Sequence, residues 1–293
     1  MINKFTAFLK KETVLCVSVM LAVVSAFFVP PDRGYLGYID FRTLAILFCL
    51  MSVMAGLQTI GIFKWIAQKL LGYVNSGRSL ALTLVLLCFF SSMLITNDVA
   101  LITFVPFTFT VLNLLGEEQK KRLLLPVVVM QTIAANLGSM LTPVGNPQNL
   151  YLYGKAGLSV REFVMLMLPY TALSLVLLTG WGLIQGGAFP QDLKLEAASV
   201  QKENGGKAAI YLLVTYLILF ILCLFTVGHI LPWEAVFFVV FLVIFATDRQ
   251  VLVKVDYSLL FTFVGFFVFI GNVGRIPAFC AFLQNIITGR EIY

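Results

Sequence analysis

The sequence predicts an all-α fold, a polytopic bundle of transmembrane helices that contains a re-entrant hairpin and a broken helix. Three observations predict it. The chain of 293 residues is 60% hydrophobic and only 12% charged, about half the charged share of an ordinary soluble domain, and its mean hydropathy is +0.98. Apolar runs near the length needed to cross a bilayer, about 20 residues at 1.5 Å each, recur along most of the chain. Two short polar interruptions, Thr96-Asn97-Asp98 and Thr142-Pro143-Val144-Gly145-Asn146-Pro147-Gln148-Asn149, fall inside otherwise apolar stretches.

The apolar runs lie at 13 to 29, 43 to 63, 79 to 95, 99 to 115, 123 to 141, 163 to 185, 208 to 228, 231 to 247 and 257 to 274. The first follows a basic start and ends in Pro30-Pro31-Asp32-Arg33 without a small-x-small cleavage site, so it reads as a retained helix and not a signal peptide. The second leads to Lys64, Lys69 and Arg78. By the positive-inside rule these are cytoplasmic, as are Lys4, Lys10, Lys11, Lys120, Lys121 and Arg122, which also makes the N-terminus cytoplasmic.

The third and fourth runs therefore begin and end on one side. A re-entrant hairpin with Asn97-Asp98 at its tip satisfies that parity, and so do two full spans with those residues near the outer surface. Each arm is about 17 residues, long for a half-depth leg and slightly short for a span. The fifth run enters the second interruption, whose two prolines and glycine cannot continue a regular helix. After the sixth run, residues 186–207 are hydrophilic and rich in Gly, Gln, Lys and Glu. They read as a cytoplasmic linker between a first membrane segment, 1–185, and a second, 208–293.

The net charge of +6 comes from basic residues that flank the apolar runs, so the partner is the lipid bilayer and not nucleic acid. The five cysteines are scattered without a C-x-x-C pair and read as small apolar residues. An enzyme within the membrane is disfavoured: there is no H-E-x-x-H, no second deep aspartate to pair with Asp98, and no serine partner for His229. His229, before Leu231-Pro232-Trp233, reads as an interfacial ring. Arg275 either snorkels to the interface or meets an anion. The Phe261 to Phe269 stretch is apolar bulk.

Irregular polar backbone at membrane depth is tolerated only where it is buried in protein or lines a wet cavity, and such breaks hold ions and solutes in secondary transporters. Asp98 is the carboxylate set deepest within the apolar runs, where an ionisable group is costly unless solvated, paired or bound to a cation. The competing reading is that Asn97 or Asp98 caps the helix beginning near Val99. The two are compatible, because a helix N-terminus in mid-membrane itself attracts anions. In the second break Thr142, Asn146, Gln148 and Asn149 offer side-chain oxygens beside carbonyls freed by Pro143 and Pro147, and Gly145 permits an unusual turn. Such oxygens suit a hard cation. An ordinary turn outside the membrane is the alternative.

The stretch Ser92 to Leu101, followed by Asn136-Leu137-Gly138-Ser139-Met140-Leu141-Thr142-Pro143-Val144-Gly145-Asn146-Pro147-Gln148-Asn149-Leu150, resembles the ion transporter superfamily. Its members include sodium:dicarboxylate and citrate carriers, arsenite efflux permeases and some sodium/proton antiporters. The resemblance covers about residues 10 to 293. In the dicarboxylate branch a Ser-Asn-Thr motif at a hairpin tip, with an unwound loop in the next helix, binds sodium and the substrate carboxylate. Asn97 matches the central asparagine. Asp98 stands where that branch has threonine and would repel a dianion beside it, which looks closer to the arsenite and general anion-permease branches.

The resemblance implies secondary active transport of a small anion, coupled to sodium or protons, without another cofactor and with a homodimer as a possible assembly. Sodium would sit at Asn97 and Asn146, assisted by Thr142 and Gln148, with Asp98 responding to cation or proton occupancy. It also supports an inverted repeat, for which chance similarity of two apolar helices is the alternative reading. Asp40-Phe41-Arg42-Thr43-Leu44 and Asp256-Tyr257-Ser258-Leu259-Leu260 each precede an apolar run ending in a Gly-containing turn, as transporter repeats do. The offset between them places partners of Asn97 and Asn146 beyond Tyr293. The expectation is thus an incomplete second repeat, and the chain alone would be an inactive fragment.

Overall fold

In a computed structural model the described residues are 12–71, 74, 76–113, 117–185 and 207–281. Among them the fold is helical and contains no strand. In chain order the helices are α1 (Thr13–Phe28), α2 (Tyr35–Tyr38), α3 (Phe41–Ile60), α4 (Ile62–Leu71), α5 (Gly77–Ser91), α6 (Asn97–Leu112), α7 (Glu117–Ser139), α8 (Pro147–Ala156), α9 (Val160–Gln185), α10 (Lys207–Val227), α11 (Trp233–Thr247), α12 (Arg249–Val253) and α13 (Tyr257–Val273).

Every apolar run of the sequence becomes a helix, because in hydrocarbon each backbone donor and acceptor must be satisfied within its own segment. Among the described residues four helices are long and apolar enough to cross a membrane: Phe41–Ile60, Lys120–Ser139, Val160–Ile184 and Ile210–Val227. α1, α5, α6, α11 and α13 are shorter apolar helices. The protein is an all-α polytopic membrane protein. The linker read at 186–207 lies outside the described residues except for Lys207, which opens α10. Lys4, Lys10 and Lys11 lie outside them as well.

The run at 43 to 63 is not one element. Gly61 takes φ 83°, a left-handed turn that ends α3, and the chain restarts as the amphipathic α4. Hydropathy alone read through this point because α4 is itself largely apolar.

The helices form two compact units. One is drawn from Met1–Met51 and Lys254–Tyr293, the other from Ser52–Val253. In the first, α1 packs along α13. Buried Asn272 of α13 donates through Nδ2 to Ser25 Oγ at 3.0 Å and Tyr35 Oη at 2.8 Å, while its buried Oδ1 lacks a hydrogen-bond partner. Arg275 meets a carboxylate of the protein itself: its Nη1 pairs with Asp32 Oδ2 at 2.8 Å and donates to Tyr38 Oη at 2.9 Å. The two repeat aspartates share a local role. Asp40 accepts from the Thr43 N–H at 3.0 Å and Asp256 from the Leu259 N–H at 3.0 Å, each at the start of its helix.

In the second unit α7 packs along both α5 and α6. Leu80, Ala81 and Leu84 of α5 meet Val111 and Leu112 of α6 and Leu123 and Val127 of α7, with Trp181 of α9 against them. α5 starts with a reciprocal Ser76–Ser79 capping box, which satisfies donors otherwise orphaned at its first turn. Tyr153 of α8, buried, donates to the Val227 carbonyl at 3.0 Å and so fixes α8 to the end of α10. His229 follows with φ 59°, in the turn between α10 and α11.

Candidate functional site

The two polar interruptions meet. Residues between α5 and α6 form the tip of the helical hairpin, and residues 140–146 form the break between α7 and α8. The Asn97 backbone N–H donates to the Gly145 carbonyl at 3.0 Å, and Thr142 Oγ1 donates to the Met93 carbonyl. Each break thus satisfies part of the backbone that the other leaves open, which allows irregular chain among apolar helices.

Glycine makes the approach possible. A Cβ on Gly138 would overlap the Phe89 carbonyl oxygen, and one on Gly145 would overlap the Ser139 carbonyl. The hairpin therefore lies backbone to backbone on the last turn of α7.

The helix caps differ from expectation. α6 is capped by Thr96, whose Oγ1 accepts from Val99 N–H at 3.4 Å, and not by Asn97 or Asp98, because only Thr96 has extended backbone, φ −62° and ψ 150°. Asn146 caps α8 by accepting from Asn149 N–H at 2.7 Å, with Pro147 at the first helical position, where its missing donor costs nothing. Asn149 Nδ2 lies 3.2 Å from the Ser139 and Met140 carbonyls and 3.3 Å from that of Thr142. Asn146 and Asn149 therefore hold the shape of the break.

Asn97 is placed differently. Its Nδ2 donates to Asn136 Oδ1 at 3.0 Å, and its buried Oδ1 has no hydrogen-bond partner. A buried, unpaired amide oxygen costs about 1–3 kcal/mol, and Asn97 Oδ1 is an acceptor left open to a ligand. The fixed acceptors around the tip are Asn97 Oδ1, Asn136 Oδ1 and the Gly145 carbonyl. All are neutral oxygens of the kind hard cations take.

Asn136 was missed by sequence reading as a site residue. It is anchored by Nδ2 to the Thr132 carbonyl at 2.8 Å, and Ser139 Oγ donates to its carbonyl at 2.9 Å. The available signal was an amide one turn before the break of an apolar helix. Gly145 is buried, Thr142 and Asn149 are half-buried, and Gln148 is exposed. Asp98 is exposed in the first turn of α6, so the protein itself does not enclose it.

An all-α bundle whose helical hairpin docks on a broken helix, with amide side chains and freed carbonyls where they meet, defines the class as a polytopic membrane transport protein. The comparisons place it further. The pattern of the citrate transporter family CitMHS matches residues 5–289, and the chain belongs to that family. It is 30% identical over 270 residues to the inner membrane protein YbiR of Escherichia coli, covering 92% of this chain and 69% of that protein. It is 29% identical to an uncharacterized transporter of Methanocaldococcus jannaschii, with 81% and 62% covered. To the silicon efflux transporter of Oryza sativa subsp. japonica it is 29% identical, over 53% of this chain and 32% of that protein. The family's description and the names of the latter two relatives point to a transporter and not an enzyme.

Proposed function

We propose that this chain carries an ion- and substrate-binding site of a secondary transporter that moves a small anion with sodium or proton coupling. The observation that carries the reading is the buried, unpartnered Asn97 Oδ1, on a residue whose Nδ2 donates to Asn136 Oδ1 and whose backbone N–H donates to the Gly145 carbonyl. A sodium ion held there would complete the coordination of Asn97 and add a positive charge at the N-terminus of α6. That charge and the helix dipole together would attract an anion. Citrate or another carboxylate is the substrate class suggested by the family. The hairpin is re-entrant on this reading and the N-terminus cytoplasmic.

A second substrate reading has its own observation. Thr96, Asn97, Asp98, Asn136, Ser139, Thr142, Asn146, Gln148 and Asn149 include no basic side chain and one carboxylate. A tricarboxylate would find no cationic partner among them, whereas a weakly charged oxyacid needs only hydrogen bonds. A silicon efflux transporter among the relatives supports this alternative.

The test is twofold. Purified protein is melted with and without sodium, and Asn97→Ala is compared with the wild type. Sodium should raise the wild-type melting temperature and leave that of Asn97→Ala unchanged; equal shifts in both would remove Asn97 as a ligand. Uptake into proteoliposomes is then measured for citrate, succinate, silicate and arsenite, with sodium and proton gradients imposed separately.

A further inference from the structure

The short helix α4 is not explained by the hairpin and break. It sits between the Gly61 turn and the capping box of α5, and its ten residues are too few to cross hydrocarbon. Ala67 is fully buried, whereas Trp65 is 58% exposed and Ile66 37% exposed. Lys69 is exposed on the same side, with its Nζ 5.3 Å from the Trp65 ring centroid. One side of α4 thus rests on protein, and the opposite side presents an indole, an aliphatic chain and an ammonium together.

Charge points to the occupant of that side. Between Gly61 and Arg78 the chain carries Lys64, Lys69 and Arg78 and no acidic residue. Trp with Lys is the pairing that settles at the headgroup level of a bilayer, the ring in the upper acyl region and the ammonium among phosphates. A soluble partner would leave Trp65 and Ile66 in water beside hydrocarbon; a zwitterionic lipid would leave the basic excess uncompensated.

We propose that α4 is an interfacial anchor whose Trp65–Lys69 face binds anionic phospholipid headgroups at the base of the hairpin. The α4 helix leads within five residues into α5, so the lipid contact lies directly before the arm that carries the tip. The proposal is independent of what the transporter moves.

The experiment uses the whole chain in bilayers of fixed composition, equal parts phosphatidylglycerol and phosphatidylcholine, with bromine near the headgroup on one lipid or the other. The fluorescence of Trp65 is obtained as the difference between wild type and Trp65→Phe, so Trp181 and Trp233 stay in place. Quenching should be stronger with bromine on phosphatidylglycerol. Lys69→Gln should reduce that preference by up to about fivefold, the worth of one basic side chain at an anionic surface, and Lys69→Arg should retain it. Absence of quenching by either lipid would overturn the proposal. Equal quenching by both, or a preference unchanged by Lys69→Gln, would do the same.

Discussion

Gly138 and Gly145 decide whether the two breaks can meet. In a helix, Gly→Ala normally gains about 1 kcal/mol from propensity, but at Gly138 the new methyl would overlap a backbone carbonyl that cannot rotate away. Overpacking of that kind costs about 1–3 kcal/mol, so the clash should win. Gly138→Ala and Gly145→Ala are expected to lower the melting temperature and abolish any sodium-dependent shift. Gly154→Ala, where a Cβ meets nothing within 4 Å, should be neutral or stabilising.

A second prediction at this scale concerns Asp32. The hydrogen bond from Arg275, and then those from the Gly34 and Tyr35 N–H groups, hold its carboxyl below the ordinary value of 3.8. Arg275, held by Tyr38 and Asp32, moves further above the usual guanidinium range and stays charged. A depressed carboxylate contributes stability above its unfolded pKa and loses it as pH falls through the lower folded value. The wild type should therefore lose stability as pH is lowered from about 4, and Asp32→Asn should lack that part of the slope in a melting series.

At the scale of elements, Gln131 joins the three helices of the hairpin assembly. It is fully buried, donates through Nε2 to the Leu84 carbonyl at 3.2 Å and accepts from Thr108 Oγ1 at 3.1 Å. Neither partner depends on it alone. The Leu84 carbonyl lies within α5, and Thr108 Oγ1 also bonds the Phe104 carbonyl at 2.9 Å. Gln131→Leu, close in volume, should cost only about 1 kcal/mol, whereas Gln131→Ala opens a cavity and should cost about 2–4 kcal/mol. Denaturation midpoints in detergent measure the difference.

Elements were also where the sequence was most readable. Uninterrupted apolar length foretells a membrane helix because hydrocarbon leaves the backbone no other partner. α4 and α8 were not separated, since each is too short for a hydropathy signal and is defined by what ends or caps it: the Gly61 turn and the Asn146 cap. In the site, the two interruptions were visible as polar residues in apolar surroundings. Which of them bond within the break was not, because Asn97, Asn146 and Asn149 are the same residue type and only tertiary contacts show that Asn146 and Asn149 bond inside the break while Asn97 Oδ1 is left unpaired.

For the molecule as a whole, the open question of the sequence was whether the hairpin spans or re-enters. At 1.5 Å per residue, α5 with 15 residues and α6 with 16 reach about 22–24 Å, against roughly 30 Å of hydrocarbon. Lys120–Ser139, with 20 residues, reaches about 30 Å. Full spans would require the bilayer to thin or the polar tip to stop short of water, whereas a re-entrant tip lets the Asn97 N–H and the Met93 carbonyl find their partners in the break, as they do. Leu94 at the tip is 57% exposed, and Leu36 in the connection after α1 is 67% exposed, so packing alone would leave a cysteine at either position reactive. With all five native cysteines replaced by alanine, Leu36→Cys should react from outside the cell with a membrane-impermeant maleimide, and Leu94→Cys should react from that side far more slowly. Equal external rates would place the tip at the outer surface and make α5 and α6 complete spans.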